Sequence, residues 1–172
     1  KIYLTILFFF LLSTNSFAIL PFKQSKVISS GYSPNITEVR GINFKPDGTV
    51  MYITNRISAA NENARVTQYT LTTPFDISTA IDPVSTNLVG DGGSIPQLRL
   101  PHAIEFNTDG TRIFITTNKD PTSVYQFKLT TPWDTTTLEF ELRFQVDLTG
   151  SGNEDQVRAL AFKPDGKRMF IG

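Results

Sequence analysis

Three stretches of the chain align without a gap: VRGINFKPDGTVMYI (residues 39–53), PHAIEFNTDGTRIFI (101–115) and VRALAFKPDGKRMFI (157–171). Their turn aspartates, Asp47, Asp109 and Asp165, stand 62 and then 56 residues apart. A second pair of stretches recurs at an offset of 58, VTQYTLTTPFD (66–76) and VYQFKLTTPWD (124–134). Self-similarity at such a period marks a chain built from stacked supersecondary units.

Each unit reads as four strands. Ile42 and Phe44 alternate at period two, as do Ile104 and Phe106, and Leu160 and Phe162. The Asp-Gly pair that follows supplies the positive φ a tight hairpin needs. In the second strand Met51 and Ile53 lie on one face and Tyr52 on the other, matched by Ile113, Ile115 and Phe114. Apolar residues on both faces predict a strand covered from both sides. Residues 66–71 and 124–129 give the third strand. The fourth is expected near 84–89 in the first unit and over 140–148 in the second, with Phe140, Leu142, Phe144 and Val146 alternating on one face.

The fold expected from these units is all-β. Four-stranded antiparallel sheets that need cover on both faces are the blades of a β-propeller, and a sandwich does not account for the repeated Phe-x-x-Asp-Gly element. The small residues Gly41, Ala103 and Ala159 suit a crowded axis where innermost strands converge. The expected organisation is blade 1 over 39–95, blade 2 over 96–152 and the start of blade 3 over 153–172, preceded by a lead-in at 19–38 that acts as an outer or closing strand. The third unit stops in its second strand, so the propeller is expected to be incomplete, the N-terminal part of a longer one.

Residues 1–18 read as an address. Lys1 precedes an apolar run from Ile2 to Leu12, and Ser16 and Ala18 give a small-residue cleavage site after Ala18. The run is shorter than the roughly 18 apolar residues a spanning helix requires, so a signal peptide is expected and no membrane span in the mature chain. Periplasm, extracellular space and cell surface are all compatible destinations.

Composition excludes several functions. With 16 Lys+Arg against 16 Asp+Glu the net charge is zero, which argues against a nucleic-acid partner bound through its phosphates. No Cys is present, which removes disulfides, thiolate metal sites and cysteine nucleophiles. An apolar content of 40% is too high for a disordered chain.

The element FKPDGKRMFI at 162–171 resembles the Phe-x-Pro-Asp-Gly-Lys element of bacterial WD-like propeller repeats. It is similar to the YVTN-type and lactonase-like seven-bladed propellers and to the periplasmic Tol-system propeller. The middle copy departs from it at Thr108, and Pro132-Trp133-Asp134 sits in a Thr-Thr-Pro loop rather than at the Trp-Asp position of eukaryotic WD repeats. The resemblance implies a propeller that binds ligands or proteins more often than it catalyses, and one fold hosts many functions.

Arg40, His102 and Arg158 share one position, just before each innermost strand. Basic groups converging there would line a channel mouth and bind a carboxylate, phosphate or sulfated sugar. The competing role is local pairing with Glu38, Glu154 or Asp155. One His makes no metal site by itself, so neither a metal nor a cofactor is expected, and no catalytic residue is assigned. Asp47, Asp109 and Asp165 are expected to serve their turns. Asp76 and Asp134 are expected to accept from backbone N–H groups two residues on. Phe75 and Trp133 are aromatic candidates, either capping a blade edge or stacking on a sugar. The Gly-rich stretches at 90–94 and 150–153 read as linkers, and Asn35-Ile36-Thr37 is a glycosylation sequon.

The functional expectation is an exported propeller module that binds a protein or carbohydrate ligand. Its rivals are a lactonase-like enzyme with its site at the channel mouth and a structural surface or adhesin repeat.

Overall fold

A computed structural model describes residue 36 and residues 38–56, 64–88, 98–117, 122–146 and 157–172. Residues 1–18, expected as a signal peptide, most of the lead-in, the stretches at 90–94 and 150–153 expected as linkers, and Glu154 and Asp155 lie outside the described residues. No helix among the described residues is long and apolar enough to cross a membrane.

The protein is all-β. A first sheet holds β1 (Glu38–Phe44), β2 (Val50–Arg56), β3 (Ala64–Leu71) and β4 (Ala80–Asn87) in that spatial order. A second holds β5 (Pro101–Phe106), β6 (Arg112–Thr117), β7 (Ser123–Leu129) and β8 (Leu138–Gln145), again in chain order. A third pairs β9 (Leu160–Phe162) with β10 (Met169–Ile171). Among the described residues every pairing is antiparallel and none of the sheets closes on itself.

The first hairpins of the three sheets share a register. Ile42 faces Ile53, Ile104 faces Ile115 and Leu160 faces Ile171 in their first hairpins. The turn glycines Gly48, Gly110 and Gly166 have φ of 72°, 71° and 67°, a region glycine enters without steric cost. After the third strand a single 3-10 turn follows, Ile77–Thr79 in the first sheet and Thr135–Thr137 in the second. Asp76 accepts from Ser78 N–H at 3.0 Å and Asp134 from Thr136 N–H at 2.9 Å, so each aspartate caps its turn.

The fourth strands start earlier than the sequence suggests, because each begins directly after its 3-10 turn. The expected single-face alternation of β8 also fails. Phe127 faces Phe140, but the next residue, Gln126, faces Leu142, which leaves Glu141 as a bulge. Phe140 therefore packs with Tyr125 and Phe127, while Leu142 points to the other face and is exposed.

Two cores result. Tyr52 from β2 joins Ile104, Phe106, Ile113, Ile115 and Phe127 of the second sheet. Met51 and Ile53, on the opposite face of β2, join Tyr69, Leu71, Ala80 and Ile36. Both faces of β2 are thus buried, as its pattern requires. The first strands pack in succession, β5 against β1 and β2, and β9 against β5. At Gly41 a Cβ would collide with the carbonyl oxygen of His102 and sit 2.7 Å from Thr54 Oγ1, so only glycine permits this approach.

Candidate functional site

The junction of β1 and β5 gathers the charged residues. Arg40 donates from Nε and Nη2 to Glu38 Oε2 at 3.2 and 2.8 Å. Arg56, directly opposite Glu38 in the β1–β2 ladder, donates to Glu38 Oε1. One carboxylate therefore holds two guanidinium groups. The hydrogen bonds from Arg40, aided by the charge of Arg56, hold the Glu38 carboxyl below its ordinary range against the opposing effect of burial.

Arg40 reaches across the junction as well, placing Nη1 3.0 Å from Nε2 of the buried His102. A guanidinium has no lone pair to offer, so Nε2 must be the acceptor and the ring proton in this contact sits on Nδ1. Thr54 Oγ1 donates to the His102 carbonyl at 2.7 Å and fixes the backbone beneath the ring. The structure thus brings Arg40 and His102 into direct contact. Arg158 stands at the corresponding place on the third sheet, where its N–H donates to the Gly172 carbonyl at 2.7 Å.

Two further bridges between the sheets were not singled out in the sequence. Asn43 Nδ2 donates to the Ile104 carbonyl at 3.1 Å and to Glu105 Oε2 at 3.0 Å. Burial raises the Glu105 carboxyl above its ordinary value, and the Asn43 bond opposes that rise. Asn43, Glu105 and Ala161 occupy one aligned position, so the departure from self-similarity was the available clue. Gln68 is a second case: its Oε1 accepts from both Thr135 N–H and Thr135 Oγ1, at 3.0 and 2.9 Å, stitching the loop of the second sheet to β3.

The aspartates in register are consumed by their bends. Asp47 Oδ1 accepts from Thr49 N–H and Oγ1 at 3.0 and 2.6 Å, while Lys45 Nζ lies 2.7 Å from Oδ2. The Lys45 bond, followed by the two from Thr49, depresses the Asp47 carboxyl to about 2. Asp109 repeats the bonds to Thr111, and Asp165 accepts from Lys167 N–H and pairs with Lys163.

Phe75 and Trp133 lie on these same bends. Their N–H groups donate to the carbonyls of Gly48 and Gly110, each at 2.9 Å, and a Cβ on either glycine would collide with the aromatic ring. Both aromatics adopt positive φ, 60° and 66°, a strained state for such residues that the hydrogen bond and ring packing hold in place. Trp133 continues into the junction, with its ring 5.0 Å from Phe106 and its carbonyl accepting from Tyr52 Oη at 2.6 Å. Burial pushes the Tyr52 hydroxyl well above its ordinary value, so it remains a donor.

Among the described residues, no group of three or more His, Cys, Asp or Glu is placed to hold a metal. Comparison with protein-family models, curated proteins and solved structures returns no match.

Proposed function

We propose that the chain is a run of β-propeller blades of the WD-like, YVTN-type kind, exported by residues 1–18 and serving as a binding module for a protein or glycan. The observation that carries this reading is the succession of first strands, β1 on β5 on β9, the first two each followed by a four-stranded meander and the third by a hairpin. Sheets that hide apolar groups on both flanks have a radial stack as their natural arrangement.

Binding is placed at the rim where Arg40, His102 and Arg158 head those strands. Arg40 and Arg56 both pair with the carboxylate of Glu38 at that end of the first junction. Arg40 remains partly exposed, and a charge-assisted contact to a carboxylate or sulfate requires only that its guanidinium exchange one partner for another.

The test is binding of the protein to an immobilised sulfated polysaccharide and to an acidic protein surface, at low and at physiological salt. The reading expects saturable binding that weakens with salt and falls on the order of tenfold in Arg40→Ala. Binding that ignores both salt and Arg40→Ala would remove the rim from consideration. N-terminal sequencing of exported material should begin at Ile19.

A further inference from the structure

The chain has a single histidine, and it is spent on a contact between two sheets. His102 is buried at the start of β5, with Nε2 3.0 Å from Arg40 Nη1 of β1. The two halves of this contact differ in how firmly they are held. Thr54 Oγ1 grips the His102 carbonyl at 2.7 Å, Thr116 Oγ1 accepts from Ala103 N–H at 2.9 Å, and Gly41 closes on the same carbonyl. Arg40 is partly exposed and has a second partner, Glu38, on its Nε and Nη2. The histidine half is fixed and the arginine half can move.

A guanidinium keeps its proton at every pH the fold meets, so the contact exists only while Nε2 keeps its lone pair. Protonation of the ring places an N–H where the acceptor stood and opposes two cations across 3.0 Å. Arg40, the movable half, then gives up the contact. Histidine is the side chain whose charge ordinarily changes between about pH 5 and 8. The charged groups brought to this junction are Glu38 and Arg40 of β1, Arg56 of β2, Glu105 on β5 itself and Arg158 just before β9. At this end β6 contributes Thr116 and Thr117, neither of which titrates.

We propose that the Arg40–His102 contact is a proton-controlled latch, which on protonation of His102 releases Arg40 to an anionic ligand and so tightens anion binding as pH falls. This rests on the rim reading given above and assigns its regulation. At neutral pH one donor of Arg40 is occupied by the ring. In mild acid that donor is free for a sulfate or carboxylate oxygen, and the junction has gained one positive charge. Linkage requires the converse, that an anion held by Arg40 raises the pH at which His102 takes up its proton.

The test uses the whole chain and dextran sulfate, whose charges do not titrate in this range. Side-chain NMR without any anion should show the His102 ring and the Arg40 Nε–H moving with one midpoint. Calorimetry should then find affinity on the order of tenfold higher at about pH 5.5 than at about pH 7.5. Saturating dextran sulfate should raise the His102 midpoint by about one pH unit, the amount a tenfold coupling demands. His102→Gln keeps an acceptor oxygen for Arg40 but takes up no proton, so its affinity should not change between the two pH values. Glu105→Gln removes the carboxyl of β5 that burial raises, and the rise in affinity should persist in it. If His102→Gln does not fold, the measurements on the parent decide alone. An Arg40 signal that stays fixed while His102 titrates overturns the latch, as does a rise in affinity that survives in His102→Gln. Binding that Arg40→Ala weakens but pH leaves unchanged overturns the latch and spares the rim. No binding at either pH removes both.

Discussion

Phe75 and Trp133 hold one position on two sheets, with the same positive φ, the same backbone bond to a turn glycine and the same ring-on-glycine contact. Phe75 is nevertheless 54% exposed, while Trp133 packs against the main core. The difference comes from the neighbouring sheet: Tyr52 and β3 cover Trp133 from the first sheet, whereas among the described residues Phe75 meets Gly48 and the Phe44 ring, 5.8 Å away, both of its own sheet. A repeated residue thus takes its energetic weight from what flanks its sheet and not from its own hairpin.

Truncating the two aromatics should expose that difference most clearly. Trp133→Ala is expected to cost about 3 kcal/mol, since it empties a seat between two sheets. Phe75→Ala should cost about 1 kcal/mol, the share of burial left to an exposed ring. Urea unfolding midpoints of the two variants would measure both, and equal losses would contradict the role given to the neighbouring sheet.

Gly41→Ala should come next, at about 2 kcal/mol, because its methyl group forces β1 away from the His102 carbonyl. Ala103 tolerates a methyl at the aligned position, so the cost at Gly41 reports the approach of the sheets and not the residue type. Tryptophan fluorescence of this variant should shift to the red as Trp133 becomes wetter. Tyr52→Phe should cost about 1 kcal/mol by leaving the Trp133 carbonyl without its donor, a loss that Trp133→Ala does not reproduce in kind.

The smallest effect concerns the bends themselves. Asp47 is held down to about 2 from an ordinary 3.8, first by Lys45 and then by Thr49. A depressed carboxylate stabilises the fold above its unfolded value and loses that contribution as pH falls through its folded value. The Asp47 contribution should therefore fade between about pH 4 and pH 2. Carbon-detected titration should show the Asp47 midpoint rise in Lys45→Ala. Asp109, whose aligned neighbour is Asn107, should not respond to that substitution. Glu105 has the opposite sign: its raised value favours the fold while protonated and opposes it once ionised. Glu105→Gln should accordingly be more stable than the parent at neutral pH, and the advantage should vanish in acid.

How far these features were legible depends on how local they are. The first three strands and their bends could be read because period-two patterning and Asp-Gly chemistry act over a few residues. The Asp76 and Asp134 caps were legible for the same reason. The Glu141 bulge was not, since a strand of alternating Phe, Leu and Phe gives no local sign that its partner strand skips a residue. The shared register of Arg40, His102 and Arg158 was visible, but the contact between Arg40 and His102 was not. That contact requires β1 and β5 to approach over Gly41, a fact about two segments 62 residues apart in the chain. Asn43, Glu105 and Gln68 went unread because each joins two sheets: the units differ at Asn43 and Glu105, and Gln68 recurs as Gln126, so repetition alone does not say which position bridges to a neighbour.

The central claim is that successive sheets meet through their first strands, with Trp133 seated against Tyr52 and Phe106. A nuclear Overhauser spectrum of the protein measures this directly. Cross-peaks from the Tyr52 ring to the Phe106 ring, whose centroids lie 4.5 Å apart, and from Phe106 to the Trp133 indole are the expected result. A spectrum in which Tyr52 contacts only residues of its own sheet, while the Asp47 and Asp109 hairpins stay intact, would contradict it.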